Sequence, residues 1–246
     1  MTVDFFCFQA QGYDRVSIML RADIQEMLRT IEIETRMTQG ATGLSALRSE
    51  VMDAMASVPR HQFVPSYLSS HAYANGPLPI GNGQTISQPF IVALMTDLLC
   101  PEPNDVMLEV GAGSGYQAAV LSLLVRKLYS IEIIPSLASD AAQRLKNLGY
   151  HNVEVRQGDG YHGWHEHAPF DGIIVTAAAS HIPKPLQEQL RPGGKLVIPV
   201  GLPHYTQELM VLEKESDGSF SSKNVLSVAF VPLTGHGHNR DTGWFS

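Results

Sequence analysis

The spacing of apolar positions divides the chain into a helical first part and an alternating second part. Residues 16–37 combine good helix formers with mixed charges until Gln39-Gly40-Ala41-Thr42-Gly43 breaks the run, which predicts a helix ending in a loop. From Leu44 on, Leu47, Val51, Ala54, Met55 and Val58 recur at helical spacing up to Pro59, so a second helix should lay one face on the core. Residues 77–84, rich in Gly and Pro, read as an irregular surface loop. Ser87 then stands as the N-cap of a third helix: Pro89 suits its first turn, and Phe90, Ile91, Leu94, Met95, Leu98 and Leu99 give it a wide apolar face.

Beyond Pro103 the period alternates between two and 3.6. Strands are predicted at 106–110, 128–133, 153–157 and 170–176, with helices at 116–127 and 136–148, a short helix at 185–190 and a strand at 195–200 entered through Pro192-Gly193-Gly194. Gly149 fits the position just past a helix C-terminus. Short strands separated by helices imply a parallel sheet, and late strands at 209–214 and 225–233 should close it as an antiparallel edge. The fold class is therefore α/β, a Rossmann-like doubly wound sheet, mostly parallel, with N-terminal helices. The expected organisation is a partly helical N-terminal extension over 1–40, a main domain over 41–235 and a polar tail over 236–246.

Composition narrows the class more than the fold. A chain of 246 residues with 44% hydrophobic and 17% charged residues is that of an ordinary globular protein. A net charge of −7 without a Lys/Arg cluster argues against nucleic acid as a partner, because phosphate binding needs a basic surface. The longest apolar stretches fall short of a membrane span, and Phe5-Phe6-Cys7-Phe8 lacks the basic lead of a signal peptide. Cys7 and Cys100 have no metal-ligand spacing, and Cys100 reads as a buried helix-end residue. A cytoplasmic monomer without a membrane partner is expected.

The chemistry concentrates at strand ends. After the strand at 106–110 stands Glu109-Val110-Gly111-Ala112-Gly113-Ser114-Gly115-Tyr116, a turn that lets backbone approach a ligand. A dinucleotide fingerprint would be G-x-G-x-x-G; here Tyr116 takes the place of the third glycine, which weakens a pyrophosphate reading and the NAD-dependent dehydrogenase it would imply. Glu132, at the next strand end, can accept hydrogen bonds from both hydroxyls of a ribose. Asp159, in Gly158-Asp159-Gly160 at the following one, can accept from an adenine amino group. Each acid alone is an ordinary loop residue, whereas three such features at successive strand ends point to a nucleoside. Tyr161-His162-Gly163-Trp164-His165-Glu166-His167 invites a zinc reading but has no second ligand cluster, and His236 and His238 read as tail residues, so no metal is expected.

With these motifs the sequence resembles the bacterial-type protein-L-isoaspartate O-methyltransferases from about Ala46 to Thr234. The resemblance rests on Val58-Pro59-Arg60, Phe63-Val64-Pro65, Pro77-Leu78-Pro79-Ile80-Gly81, Gly83-Gln84-Thr85-Ile86-Ser87-Gln88-Pro89, the glycine turn, Gly158-Asp159-Gly160, Ala168-Pro169-Phe170-Asp171 and Val175-Thr176-Ala177-Ala178-Ala179. Of these the Gln84 to Pro89 segment is far more specific than the glycine turn. Asn75 stands where relatives often have an aspartate, and residues 1–40 match weakly.

The resemblance implies the fold of the class I S-adenosylmethionine-dependent methyltransferases, with S-adenosyl-L-homocysteine as the cofactor product. It also implies a cofactor site at Glu109, Gly111, Gly113, Ser114, Gly115, Glu132, Asp159, Gly160 and Thr234, a substrate site at Ile86, Ser87, Val231 and Leu233, and Ser87 as the active-site serine. The implied substrates are damaged proteins and peptides containing isoaspartate. The chemistry fits the absence of a Ser-His-Asp set from the sequence. A free α-carboxylate, with an ordinary pKa of roughly 3.3 to 3.7, is already ionised and nucleophilic at neutral pH. Methylation of another peptide carboxylate, or a non-catalytic relative, are the alternatives.

Overall fold

The computed structural model describes residues 5–202 and 205–235. The polar tail expected over 236–246, with His236 and His238, lies outside them.

Helix α1 (Phe5–Met37) begins well before the expected residue 16. It anchors through Met27, Ile31 and Thr35, all at most 2% exposed, against elements that follow it in the chain. The short α2 (Gln39–Thr42) ends at Gly43 in the left-handed region, and α3 (Ser49–Ser57) buries Val51, Ala54 and Met55 as their spacing predicts. Residues 77–86 are not irregular. They form a hairpin of β1 (Leu78–Gly81) and β2 (Gln84–Ile86) whose turn residues Asn82 and Gly83 both take positive φ, 53° and 70°. Asn-Gly is the pair such a tight turn favours, so the glycines that suggested a loop instead mark a turn.

Helix α4 (Pro89–Leu99) starts at Pro89, and its N-cap is Gln88 rather than Ser87, without a side-chain capping bond. The proline's fixed φ suits the first helical position, which moves the cap one residue past the serine. At the other end Cys100 caps the helix with φ 51° and is exposed, not buried.

The alternating region follows as β3 (Val106–Val110), α5 (Tyr116–Ser122), β4 (Lys127–Glu132), α6 (Pro135–Asn147), β5 (Val153–Gln157), β6 (Phe170–Val175), α7 (Lys184–Glu188), β7 (Leu190–Val200), β8 (Gln207–Lys214) and β9 (Phe220–Val228). Helix α5 stops five residues short of its predicted end. Strand β7 starts five residues early because the Pro-Gly-Gly segment is absorbed with a register shift against β6. The sheet order is β5-β4-β3-β6-β7-β8-β9, parallel from β5 to β7 and antiparallel at β8 and β9. Apolar clusters cover both faces: in β3, Met107 belongs to one, Leu108 and Val110 to the other. Strand order reverses between β3 and β6, and the crevice beyond their carboxyl ends is where such sheets take ligands.

Candidate active site

The chain leaves β3 through Gly111, whose φ of 98° turns the backbone sharply. A Cβ there would lie 2.5 Å from Thr176 Oγ1, whose hydroxyl donates to the Gly111 carbonyl at 2.6 Å. Thr176 directly follows β6, so this contact ties together the ends of the two strands that flank the crevice. Two residues on, the Gly113 N–H donates to Glu132 Oε2 at 2.8 Å, and the Ile134 N–H donates to Glu132 Oε1 at 2.9 Å. Each carboxylate oxygen keeps a further lone pair for a ligand hydroxyl. Across the crevice, Gly160 lies so close to Val110 that a Cβ would sit 2.3 Å from its Cγ1.

These groups enclose a cavity with Ile133 and Ile134 as an apolar wall, Thr85 of the hairpin on one side, and residues 231–234 as a roof. The roof is fastened by two bonds: Ala178 N–H donates to the Val231 carbonyl at 2.8 Å, and Leu233 N–H to the Ala178 carbonyl at 2.7 Å. Gly111, Gly113, Glu132, Gly160, Val231, Leu233 and Thr234, all expected from the sequence, line it.

Four other expected cofactor residues lie elsewhere. Asp159 is not among the lining residues; its carboxylate accepts from the Tyr161 N–H at 3.0 Å, and Gly235, next to the lining Thr234, packs against it. Ser114 and Gly115 support the turn from behind: the Ser114 carbonyl accepts from Arg144 at 2.8 Å, and Gly115 abuts Leu145. Glu109 is fully buried within the sheet and accepts a short hydrogen bond from Ser130. Burial pushes its carboxyl up to about 8, with the charge of Glu132 nearby adding to the effect, so it is protonated at neutral pH.

Through Thr85, Thr176 and Val231 the cavity continues into a second, wider groove of about 600 Å³. Ser87 and Gln88 line this groove, two and three residues past the shared Thr85; Phe90, Ile91, Leu226 and Phe230 supply apolar walls, and Glu34 of α1 and Thr38 just beyond it add polar groups. Ile86 is 3% exposed and belongs to the core beneath the groove.

Three residues escaped the sequence reading. Arg60 is fully buried, donates to the carbonyls of Ala72 (2.6 Å) and Ser87 (2.7 Å), and lies 4.6 Å from the Tyr116 ring centroid. It fixes the backbone of the serine whose side chain faces the groove. Burial lowers its pKa and raises that of Tyr116 to about 12, the Coulombic attraction between the two opposing both shifts. The signal was Arg60's place inside the Val58-Pro59-Arg60 motif, but nothing local says what it reaches. Thr176 likewise stands inside the Val175 to Ala179 motif without a legible role and Glu34 stands in no motif, because each makes its contact across a long sequence separation. The His-rich run serves packing: His167 stacks on Tyr129 at 3.8 Å, and Arg156 lies over Trp164 at 3.9 Å. Among the described residues no three His, Cys, Asp or Glu side chains converge on a metal-sized site.

The residues suit S-adenosylmethionine. Glu132 has free acceptor sites for one ribose, Gly111 and Gly160 leave backbone where side chains would intrude, and Ile133 and Ile134 offer an apolar wall for a purine. Tyr116, 1% exposed, fills the place where a dinucleotide turn would need glycine. A single-nucleoside pocket at the switch point, opening sideways into a groove, places the chain among the class I S-adenosylmethionine-dependent methyltransferases.

Comparison with known proteins makes this particular. The family model for protein-L-isoaspartate(D-aspartate) O-methyltransferase matches residues 37–238. Protein-L-isoaspartate O-methyltransferase 2 of Syntrophobacter fumaroxidans is 61% identical over 213 residues, 87% of this chain and 86% of that one. Its namesake from Polaromonas sp. is 59% identical over 209 residues, 85% of this chain and 99% of that one. A solved protein-L-isoaspartate O-methyltransferase superposes with a TM-score of 0.72 at 26% identity, covering 86% of this chain and 66% of its own. A beta-aspartate methyltransferase structure from Plasmodium falciparum, in complex with S-adenosyl-L-homocysteine, has a TM-score of 0.68 at 24% identity, covers 87% of this chain and 98% of its own, and bears on the fold alone. The chain belongs to the protein-L-isoaspartate(D-aspartate) O-methyltransferase family. Among the described residues no helix is long and apolar enough to cross a membrane.

Proposed function

We propose that the protein transfers a methyl group from S-adenosylmethionine to the free α-carboxylate of L-isoaspartyl residues in damaged proteins and peptides, which starts their return through a succinimide to aspartate. The observation that carries this reading is the junction at Thr85, Thr176 and Val231, where a cavity suited to a nucleoside adjoins a groove that Ser87 lines and that is wide enough for a peptide.

Bound S-adenosylmethionine supplies a methyl group on a positively charged sulfur. A carboxylate oxygen takes that methyl while the electrons of the broken bond stay on sulfur, so a cation and an anion become a thioether and an ester. Charge disappears along the way, and no proton has to move. What the chain must do is align the carboxylate in line and keep water out, and orientation of this kind can be worth about 7 to 11 kcal/mol. Glu132, Gly111 and Gly113 hold the nucleoside end in this reading, with Gly160 and Thr234 bordering it. The Ser87 hydroxyl donates to the carboxylate, and Arg60 holds the serine's backbone in place. Residues 41–235 form the catalytic unit, α1 adds to the groove, and the enzyme works as a cytoplasmic monomer.

The test is labelled methyl transfer to two peptides identical except for isoaspartate against aspartate. Base-labile label on the isoaspartyl member alone is expected; equal labelling of both would favour a different carboxyl methyltransferase. Size-exclusion chromatography with light scattering checks the monomer.

A further inference from the structure

The groove carries its charge at one point. Among the described residues, Glu34 is the only Asp, Glu, Lys or Arg on its wall. It lies in α1, just before the segment that the family model matches, which begins at residue 37. Its position is built. Ile31 and Thr35 bury one stripe of α1, and Glu34, with Thr38 one turn further on, lines the groove.

Asn75 bridges the carboxylate to the next helix: its Nδ2 donates to Glu34 Oε1 at 3.3 Å, and its Oδ1 accepts from the Phe90 N–H at 3.3 Å. That bond uses one of about four lone-pair sites on the carboxylate, leaving the rest for a ligand. An aspartate at 75 could not donate to Glu34, so the amide is matched to it. Phe90 is three residues from Ser87, which limits their Cα separation to about 11 Å. A peptide whose isoaspartate lies at Ser87 therefore brings residues one to three positions away within a long side chain's reach of Glu34. Phe90, Ile91 and Phe230 would cover the aliphatic stem of such a side chain.

We propose that Glu34 makes this end of the groove a subsite for a cationic side chain, a lysine or arginine within three residues of the isoaspartate. This rests on the groove being the peptide site.

The experiment uses N-acetylated, C-amidated isoaspartyl peptides carrying lysine, norleucine or glutamate at each of the three positions on either side. At one or more positions lysine should raise kcat/KM over norleucine by about two- to fivefold, the range of a solvent-accessible ion pair. The gain should appear in KM and shrink with added salt. Glu34→Gln should bring the ratio to about one, and Glu34→Lys should transfer the preference to glutamate, with melting temperature and S-adenosyl-L-homocysteine affinity reporting that each variant is folded. Wild-type ratios of one at all six positions, on peptides that are methylated, overturn the subsite and leave the enzyme assignment standing. A lysine preference that survives Glu34→Gln overturns it as well. Matched peptides with a free amino terminus are assayed beside these, and a gain confined to them overturns the side-chain subsite in favour of an α-amine. Failure to methylate any isoaspartyl peptide overturns the function and the subsite together.

Discussion

The cavity and the groove meet at Thr85, Thr176 and Val231 but are made in different ways. The cavity is assembled from turns that directly follow parallel strands, and much of its surface is backbone held where a side chain would collide. The groove is walled by side chains from α1, α4, β9 and the connections beside them. Backbone and missing Cβ atoms define the first rigidly. In the second, shape and charge can be changed one side chain at a time.

The sharpest way to break this contrast is Gly160→Ala. A Cβ 2.3 Å from Val110 Cγ1 must push the two apart. S-adenosyl-L-homocysteine binding should weaken about a hundredfold, equivalent to about 2.7 kcal/mol, as read by calorimetry. Unchanged affinity would mean that the cradle tolerates the methyl. Arg60→Met acts from the groove side, leaving the carbonyls of Ala72 and Ser87 without their donor. A stability loss of about 3 kcal/mol in urea is expected, with kcat falling more than cofactor affinity. Loss of kcat and cofactor affinity in equal measure would refute the division between the two regions.

Glu109 tests what lies beneath the cavity. Its folded-state pKa of about 8 exceeds the ordinary value of 4.5, so the folded protein holds a proton that the unfolded chain releases. Its contribution to stability is full below pH 4.5 and is lost as pH rises towards 8, by up to about 1.4 kcal/mol per unit. Unfolding midpoints of wild type should decline across that window relative to Glu109→Gln, and parallel profiles would contradict a protonated Glu109. The smallest effect belongs to Ser87→Ala. Because Gln88 is the helix cap, stability should stay within about 0.5 kcal/mol while kcat falls about tenfold. Unchanged turnover would remove the serine from the mechanism.

The same contrast explains what could be read from the sequence. The strands at 106–110 and 153–157 were legible to the residue, and the glycine turn, Glu132 and Gly160 followed from them, because in this fold the nucleoside site is local to strand ends. Strand β9 was displaced: it runs 220–228 rather than 225–233, since its first half is a polar, exposed edge without an apolar signal. The hairpin at 78–86 was read as loop although Asn82-Gly83 carried the turn signature. Glu109 stands in the right motif, yet its side chain is buried in the sheet against Ser130, and Asp159 accepts from the Tyr161 backbone. Glu34 meets Asn75 across 41 positions and Arg60 meets Ser87 across 27, distances that no local pattern spans.

The segment 231–234 roofs the cavity and also, through Val231, walls the groove. Thermodynamic linkage gives that sharing a quantitative form. Whatever factor bound S-adenosyl-L-homocysteine imposes on peptide affinity, the peptide must impose on S-adenosyl-L-homocysteine affinity. The two backbone bonds at Ala178 are the fastening through which that reciprocity would act, so the coupling factor can be measured from either side of the roof.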